Sequence, residues 1–161
     1  MIKEKELVTG GNIRFPNGTG INLQTIKAAI SDELDKNGVP ASFTSDTVKF
    51  GGLLNGSIED CLVLSHPNHF SDYLRYVLRV KKQGNYAFLI IDNIGTSKMG
   101  AKIATADAAR ENRRGKSMSY KIGSMIGAAI AGSGKNRAKY EEEQNWYDMV
   151  NDSIKSACSI E

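Results

Sequence analysis

With 161 residues, 40% of them hydrophobic and 24% charged, the chain has the size and composition of one folded domain, which excludes a compositionally disordered protein and removes any need for a stabilising disulfide or metal. The net charge is only +3, but it is segregated: residues 1–93 balance, residues 94–140 carry +8 and residues 141–161 carry −5. Such asymmetry points either to an anionic partner or to an acidic last helix that neutralises the basic segment.

Residues 1–21 hold one weak signal, Ile13 and Phe15 alternating with polar neighbours between Gly10-Gly11 and Pro16-Asn17-Gly18. This predicts a short strand or an extended arm. Residues 22–37 read as a helix, because Leu23, Ile26, Ile30 and Leu34 fall on one stripe. Asn22 is placed to cap its start. Gly38 is placed to end it in a Schellman motif, with Val39 meeting Leu34 and Pro40 forbidding continuation. Residues 41–93 read as antiparallel sheet, with strands near 42–50, 59–65, 73–82 and 86–92. The last two flank Gln83-Gly84-Asn85, and a glycine in a two-residue loop is a hairpin signature. Strand parity then assigns Leu74, Tyr76, Leu78, Val80, Ala87, Leu89 and Ile91 to the core face. Tyr73, Arg75, Val77, Arg79, Lys81, Tyr86, Phe88 and Ile90 go to the other. Beyond Gly95 the pattern turns helical, with helices expected over 97–114, 117–131 and 136–157. The last presents Tyr140, Tyr147, Val150, Ile154 and Ala157 on one side. The fold class expected is α+β in a single domain, residues 1–161: an N-terminal helix on a mainly antiparallel sheet of about four strands, then two or three C-terminal helices.

Cys61 and Cys158 are far apart and belong to no CxxC or Cys/His cluster, so both are expected as free thiols. The first residues lack the apolar stretch of a signal peptide. The longest weakly apolar run, residues 122–133, is well short of the roughly 20 residues that span a bilayer. A cytoplasmic protein with no transmembrane segment is the expectation.

Three features invite a chemical reading. His66 and His69 sit three apart in one loop, with Asp72 nearby, and would begin a metal site or supply a general base. A solvated polar turn explains the same residues. Arg75, Arg79 and Lys81 alternate with Tyr73, Tyr86 and Phe88 on one sheet face, the mixture that stacks bases and meets phosphates in single-stranded nucleic acid binders. A covered seam with snorkelling arginines is the structural alternative. Arg113, Arg114, Lys116 and Lys121 lie in the basic segment and suit nucleic-acid phosphates or an anionic membrane surface. Gly132-Ser-Gly-Lys-Asn136 fails as a phosphate-binding loop: position 129 is Ala, position 136 is Asn, and a helix instead of a strand precedes it. No catalytic motif is present and no cofactor is expected. The sequence therefore favours a small non-enzymatic interaction module with a protein partner or with itself. The alternatives are a module for an anionic partner and a metal- or histidine-dependent enzyme built on the His66/His69 loop.

Overall fold

The computed structural model describes residues 1–52, 55–98, 101 and 134–158, of which 134–137 are described by their backbone alone. Six strands are present: β1 (Ile2–Lys3), β2 (Val8–Phe15), β3 (Ser42–Phe50), β4 (Ser57–Ser65), β5 (Arg75–Gln83) and β6 (Tyr86–Ile94). Two α-helices accompany them among the described residues, α1 (Leu23–Lys36) and α2 (Gly134–Ala157). The strands form one sheet in the order β1-β3-β4-β5-β6-β2. β1 runs parallel to β3, and every other pair is antiparallel.

Two parts of the expected architecture are corrected. The sheet has six strands where about four were expected, and although it is mainly antiparallel as expected, the β1–β3 pair makes it mixed. Among the described residues one C-terminal helix is found where two or three were expected. β1 escapes sequence reading because two residues cannot display a period, and it pairs only because the chain start lies beside β3. Its terminal ammonium reaches Asp46 at 2.8 Å. β2 escapes as a full strand because Gly10-Gly11 interrupts its alternation, and the register against β6 slips there between Thr9 and Gly11. The helices expected over 97–114 and 117–131 lie almost wholly outside the described residues.

The helix ends follow their local chemistry. The Asn22 side chain accepts from the amides of Gln24 and Thr25, two donors that the first turn leaves orphaned. At the other end Gly38 takes φ +64°. The Val39 amide then donates to Leu34 at 2.9 Å and the Gly38 amide to Asp35 at 3.1 Å, the two bonds of a Schellman motif. The β5–β6 hairpin turns on Gly84-Asn85, and the positive φ falls on Gly84 alone, at 57°. A type II′ turn needs this at its first central residue.

The sheet cannot be flat. Six strands span about 24 Å at a spacing of about 4.8 Å. Yet β1 and β2 occupy opposite edges and are joined only by residues 4–7, three of them in a 3-10 turn. Even fully extended, that link reaches at most about 17 Å. The sheet therefore rolls its edges toward each other. Leu7 of the link packs on the enclosed face against Ile2, Val48, Cys61, Val63, Val77 and Ile94. The opposite face carries the larger core. There Leu62, Leu64, Tyr76, Leu78, Ala87 and Leu89 meet Ile26, Ile30 and Leu34 of α1 and Trp146, Tyr147, Val150 and Ile154 of α2. Hairpin parity thus sorts the interior of β5 and β6 as expected. Cys61 and Cys158 are buried in different clusters on opposite faces, so they remain separate thiols. Burial pushes each up to about 11.

Candidate functional site

Two features interrupt this regular frame. The first is a split in the sheet. β4 and β5 have nine residues each, yet they pair only at Leu62–Leu78, Val63–Val77 and Leu64–Tyr76. β4 continues to pair with β3 down to Ser57, and β5 with β6 out to Gln83. Residues 57–61 and 79–83 therefore each face a gap on one side, where a strand edge presents backbone donors and acceptors without a ladder partner. The gap opens into a cavity of about 950 Å³ that takes lining from both faces of the sheet: Glu59 and Cys61 from the enclosed face, Leu62 and Val80 from the helical face, with Ile21 and Leu23 at the start of α1.

The split is held by charge where backbone pairing stops. Arg79 is 6% exposed and its guanidinium donates to Asp92 Oδ2 at 2.6 and 3.2 Å and to Glu59 Oε2 at 2.7 Å. Lys81 reaches the other Glu59 oxygen at 3.0 Å. Both cations also lie over the Phe50 ring. Burial by itself would raise the Glu59 carboxyl, but Lys81 and Arg79 outweigh it and hold the group below its ordinary value. One carboxylate of β4 thus ties two cations of β5 across the gap.

The second feature is an aromatic and acidic nest between the β4–β5 loop and α2. Tyr73, assigned by parity to the cationic face, sits instead before β5 begins and is buried in the main core. His69 stacks on it at 4.4 Å with an interplanar angle of 7°. His66 meets Trp146 edge-on at 5.5 Å, and its Nδ1 accepts the Asn68 amide at 3.1 Å. Burial, then His69, lowers the His66 pKa. Trp146 anchors α2 by donating to the Pro40 carbonyl at 2.8 Å. The Tyr147 hydroxyl accepts the Leu74 amide at 2.7 Å and gives its own proton to Glu143 at 2.5 Å. Burial, then this bond to Glu143, raises the Tyr147 pKa. Glu143 is 1% exposed but lines a cavity of about 250 Å³ together with Glu142, Asp72, His69, Tyr73 and the two lysines 98 and 139.

The expected site residues divide accordingly. His66 and His69 come together, with ring centroids 4.7 Å apart. Asp72 lies 3.7 Å from His69, but its carboxylate is engaged by Lys98 at 2.7 Å. No group of three or more His, Cys, Asp or Glu side chains among the described residues is arranged to hold a metal ion. Arg79 and Lys81 share the enclosed side of β5 with Arg75, and their charge goes to Glu59 and Asp92. The Arg75 guanidinium lies 4.5 Å over Phe70, and its Nε is buried without a hydrogen-bond partner among the described residues. Arg113, Arg114, Lys116 and Lys121 lie outside the described residues. Sequence reading missed Glu143 and Trp146 as inward residues of α2. Glu143 falls three before Trp146 and four before Tyr147, so its position on the buried stripe was legible, but its charge argued for solvent. No helix of the described residues is long and apolar enough to cross a membrane.

A rolled mixed sheet with helices on one face, split between its central strands, is the class of structure these residues define. No family model, curated protein or solved structure matches the chain.

Proposed function

We propose that this protein is a non-enzymatic interaction module that takes an extended segment of a partner polypeptide into the split between β4 and β5 by strand addition. One observation carries the reading: two nine-residue strands, neighbours in the sheet, pair over three residues and leave two backbone edges facing an open cavity. An extended peptide satisfies such edges with main-chain hydrogen bonds, each worth about 1 kcal/mol net. Specificity then comes from alternate side chains, because successive residues of a strand point to opposite faces. Those directed at the helical face meet Ile21, Leu23, Leu62 and Val80, so the fitting peptide is apolar at every second position. Those directed at the enclosed face meet the Glu59–Arg79 pair and are polar.

The test is selection of binders from a random peptide display library, followed by alternate N-methylation of the selected peptide. Enrichment of alternating apolar sequences whose binding is lost when the bonding amides are methylated supports strand addition. Ile21→Asp, at the mouth of the cavity, should weaken the same peptide without unfolding the protein. Selected peptides that tolerate methylation of every amide, or a library that yields no binder, would overturn the reading.

A further inference from the structure

We propose that the cavity between the His66/His69 loop and α2 is a second binding site, independent of the split, and that it takes an organic cation carrying a guanidinium group. Burying a carboxylate is costly unless an opposite charge or several donors compensate it. Glu143 is almost wholly buried, yet among the described residues its one hydrogen-bond donor is the neutral hydroxyl of Tyr147. It forms no ion pair among the described residues. That donor is fixed in direction: the Tyr147 oxygen already accepts the Leu74 amide, so its single proton points at Glu143 and the carboxylate is held in place. The geometry is that of a preorganised acceptor opening onto a cavity of about 250 Å³.

The remaining lining selects the ligand. Three carboxylates, Asp72, Glu142 and Glu143, face two ammonium groups, Lys98 and Lys139, so the cavity carries net negative charge. Lys98 is consumed by Asp72 at 2.7 Å. Lys139 is exposed, one turn before the two glutamates on α2, and stands at the rim. Among the described residues no cation pairs with Glu142 or Glu143, which leaves both open to a cation from outside. The His69–Tyr73 stack supplies a flat aromatic wall. A planar guanidinium can lie against such a wall while directing its N–H groups at a carboxylate, a combination that a compact ammonium cannot match. The source can be a free small molecule or an arginine side chain of a partner. The chemistry is the same.

Trp146 makes the site readable, because it is the only tryptophan in the chain and packs 5.8 Å from Tyr73. The experiment titrates the full chain with methylguanidinium, with an arginine-containing tripeptide amide, and with butylammonium and acetate as comparators. Binding is followed by Trp146 fluorescence and by calorimetry. The expected result is saturable binding of one or both guanidinium probes, at least tenfold tighter than butylammonium, with no binding of acetate. The tighter of the two probes identifies the source. Glu143→Gln should abolish the binding, since the amide can still accept from Tyr147 but carries no charge. Lys139→Gln should strengthen it by removing a rim competitor. Should Glu143→Gln alter the fold, the exposed Glu142→Gln decides in its place, with at least a threefold loss expected. Absence of saturable guanidinium binding by both readouts, or binding unchanged in the folded glutamine variants, would overturn the proposal.

Discussion

Replacing Arg79 by methionine tests the ion network that bridges the split. In the wild-type protein Arg79 is 6% exposed and Asp92 is 3% exposed, and among the described residues Asp92 Oδ2 accepts both its hydrogen bonds from Arg79. The methionine fills much of the same volume but leaves Asp92 buried and uncompensated. Breaking a buried pair from one side costs about 3–5 kcal/mol. For a chain of this size each kcal/mol lowers the melting temperature by about 2–4 °C, so a fall of roughly 6–20 °C is expected. The double variant Arg79→Met/Asp92→Leu removes both charges, and it should recover most of the loss or exceed the wild type, because well-packed apolar replacements of buried pairs are often neutral or stabilising. Glu59 keeps Lys81 at 3.0 Å in either case. Thermal and urea unfolding of the wild type, the single and the double variants, followed by circular dichroism, give the comparison. A single variant that costs less than about 1 kcal/mol would show that Asp92 finds water or another partner, and the burial argument for the network would fail.

Other perturbations bear on separate elements. Gly38→Ala should cost about 1 kcal/mol in urea unfolding, because the added Cβ meets no atom within 4 Å and only the left-handed backbone is penalised, whereas Gly38→Asn should cost less. Lowering the pH below the ordinary His value of 6.5 should reduce stability, because the folded His66 pKa is depressed and the unfolded chain binds more protons there; a flat melting temperature between pH 7 and pH 5.5 in His66→Gln, against a falling one in the wild type, checks the assignment. Glu59 acts in the same direction at lower pH: as an acid held below 4.5, its contribution is complete above that value and is lost as pH falls through the depressed folded value; Glu59→Gln should remove this acid-range loss in melts taken below pH 5. Tyr147→Phe removes the hydroxyl that donates to Glu143 and accepts the Leu74 amide, and a loss of about 1–3 kcal/mol is expected in the same unfolding assay.

The parts of the fold legible in the sequence are those in which local chemistry and tertiary packing agree. The Schellman end at Gly38 and the parity of β5 and β6 around Gly84-Asn85 depend on residues that sit within a few positions of one another. What was not legible depends on partners far away in the chain. β1 exists only because Ile2 meets Val48, and its two residues carry no period of their own. Tyr73 breaks the parity rule because β5 begins two residues later, and its ring turns to His69 and Trp146 instead of following the strand. The histidine pair was visible as a pair, but the place of His69 in the wall of a cavity beside α2 required knowing that residues 69–73 and 139–143 meet. Glu143 is one of three consecutive glutamates, which by charge alone suit a helix surface, and its burial is set by the direction of the helix stripe. The split is the least legible of all. β4 and β5 both have strand character to their ends, and nothing in either sequence announces that pairing stops at Leu62 and Leu78.

That split is the central claim, and native-state amide hydrogen exchange with and without a selected peptide tests it most directly. In the free protein the amides of residues 57–61 and 79–83 that face the gap should exchange far faster than those of Leu62, Val63, Val77 and Leu78, although they belong to the same strands. On adding the peptide, protection should rise at those two segments and remain unchanged across β2. Uniform protection along the whole of β4 and β5 in the free protein would contradict a split sheet, and peptide-induced protection confined to other segments would contradict strand addition there.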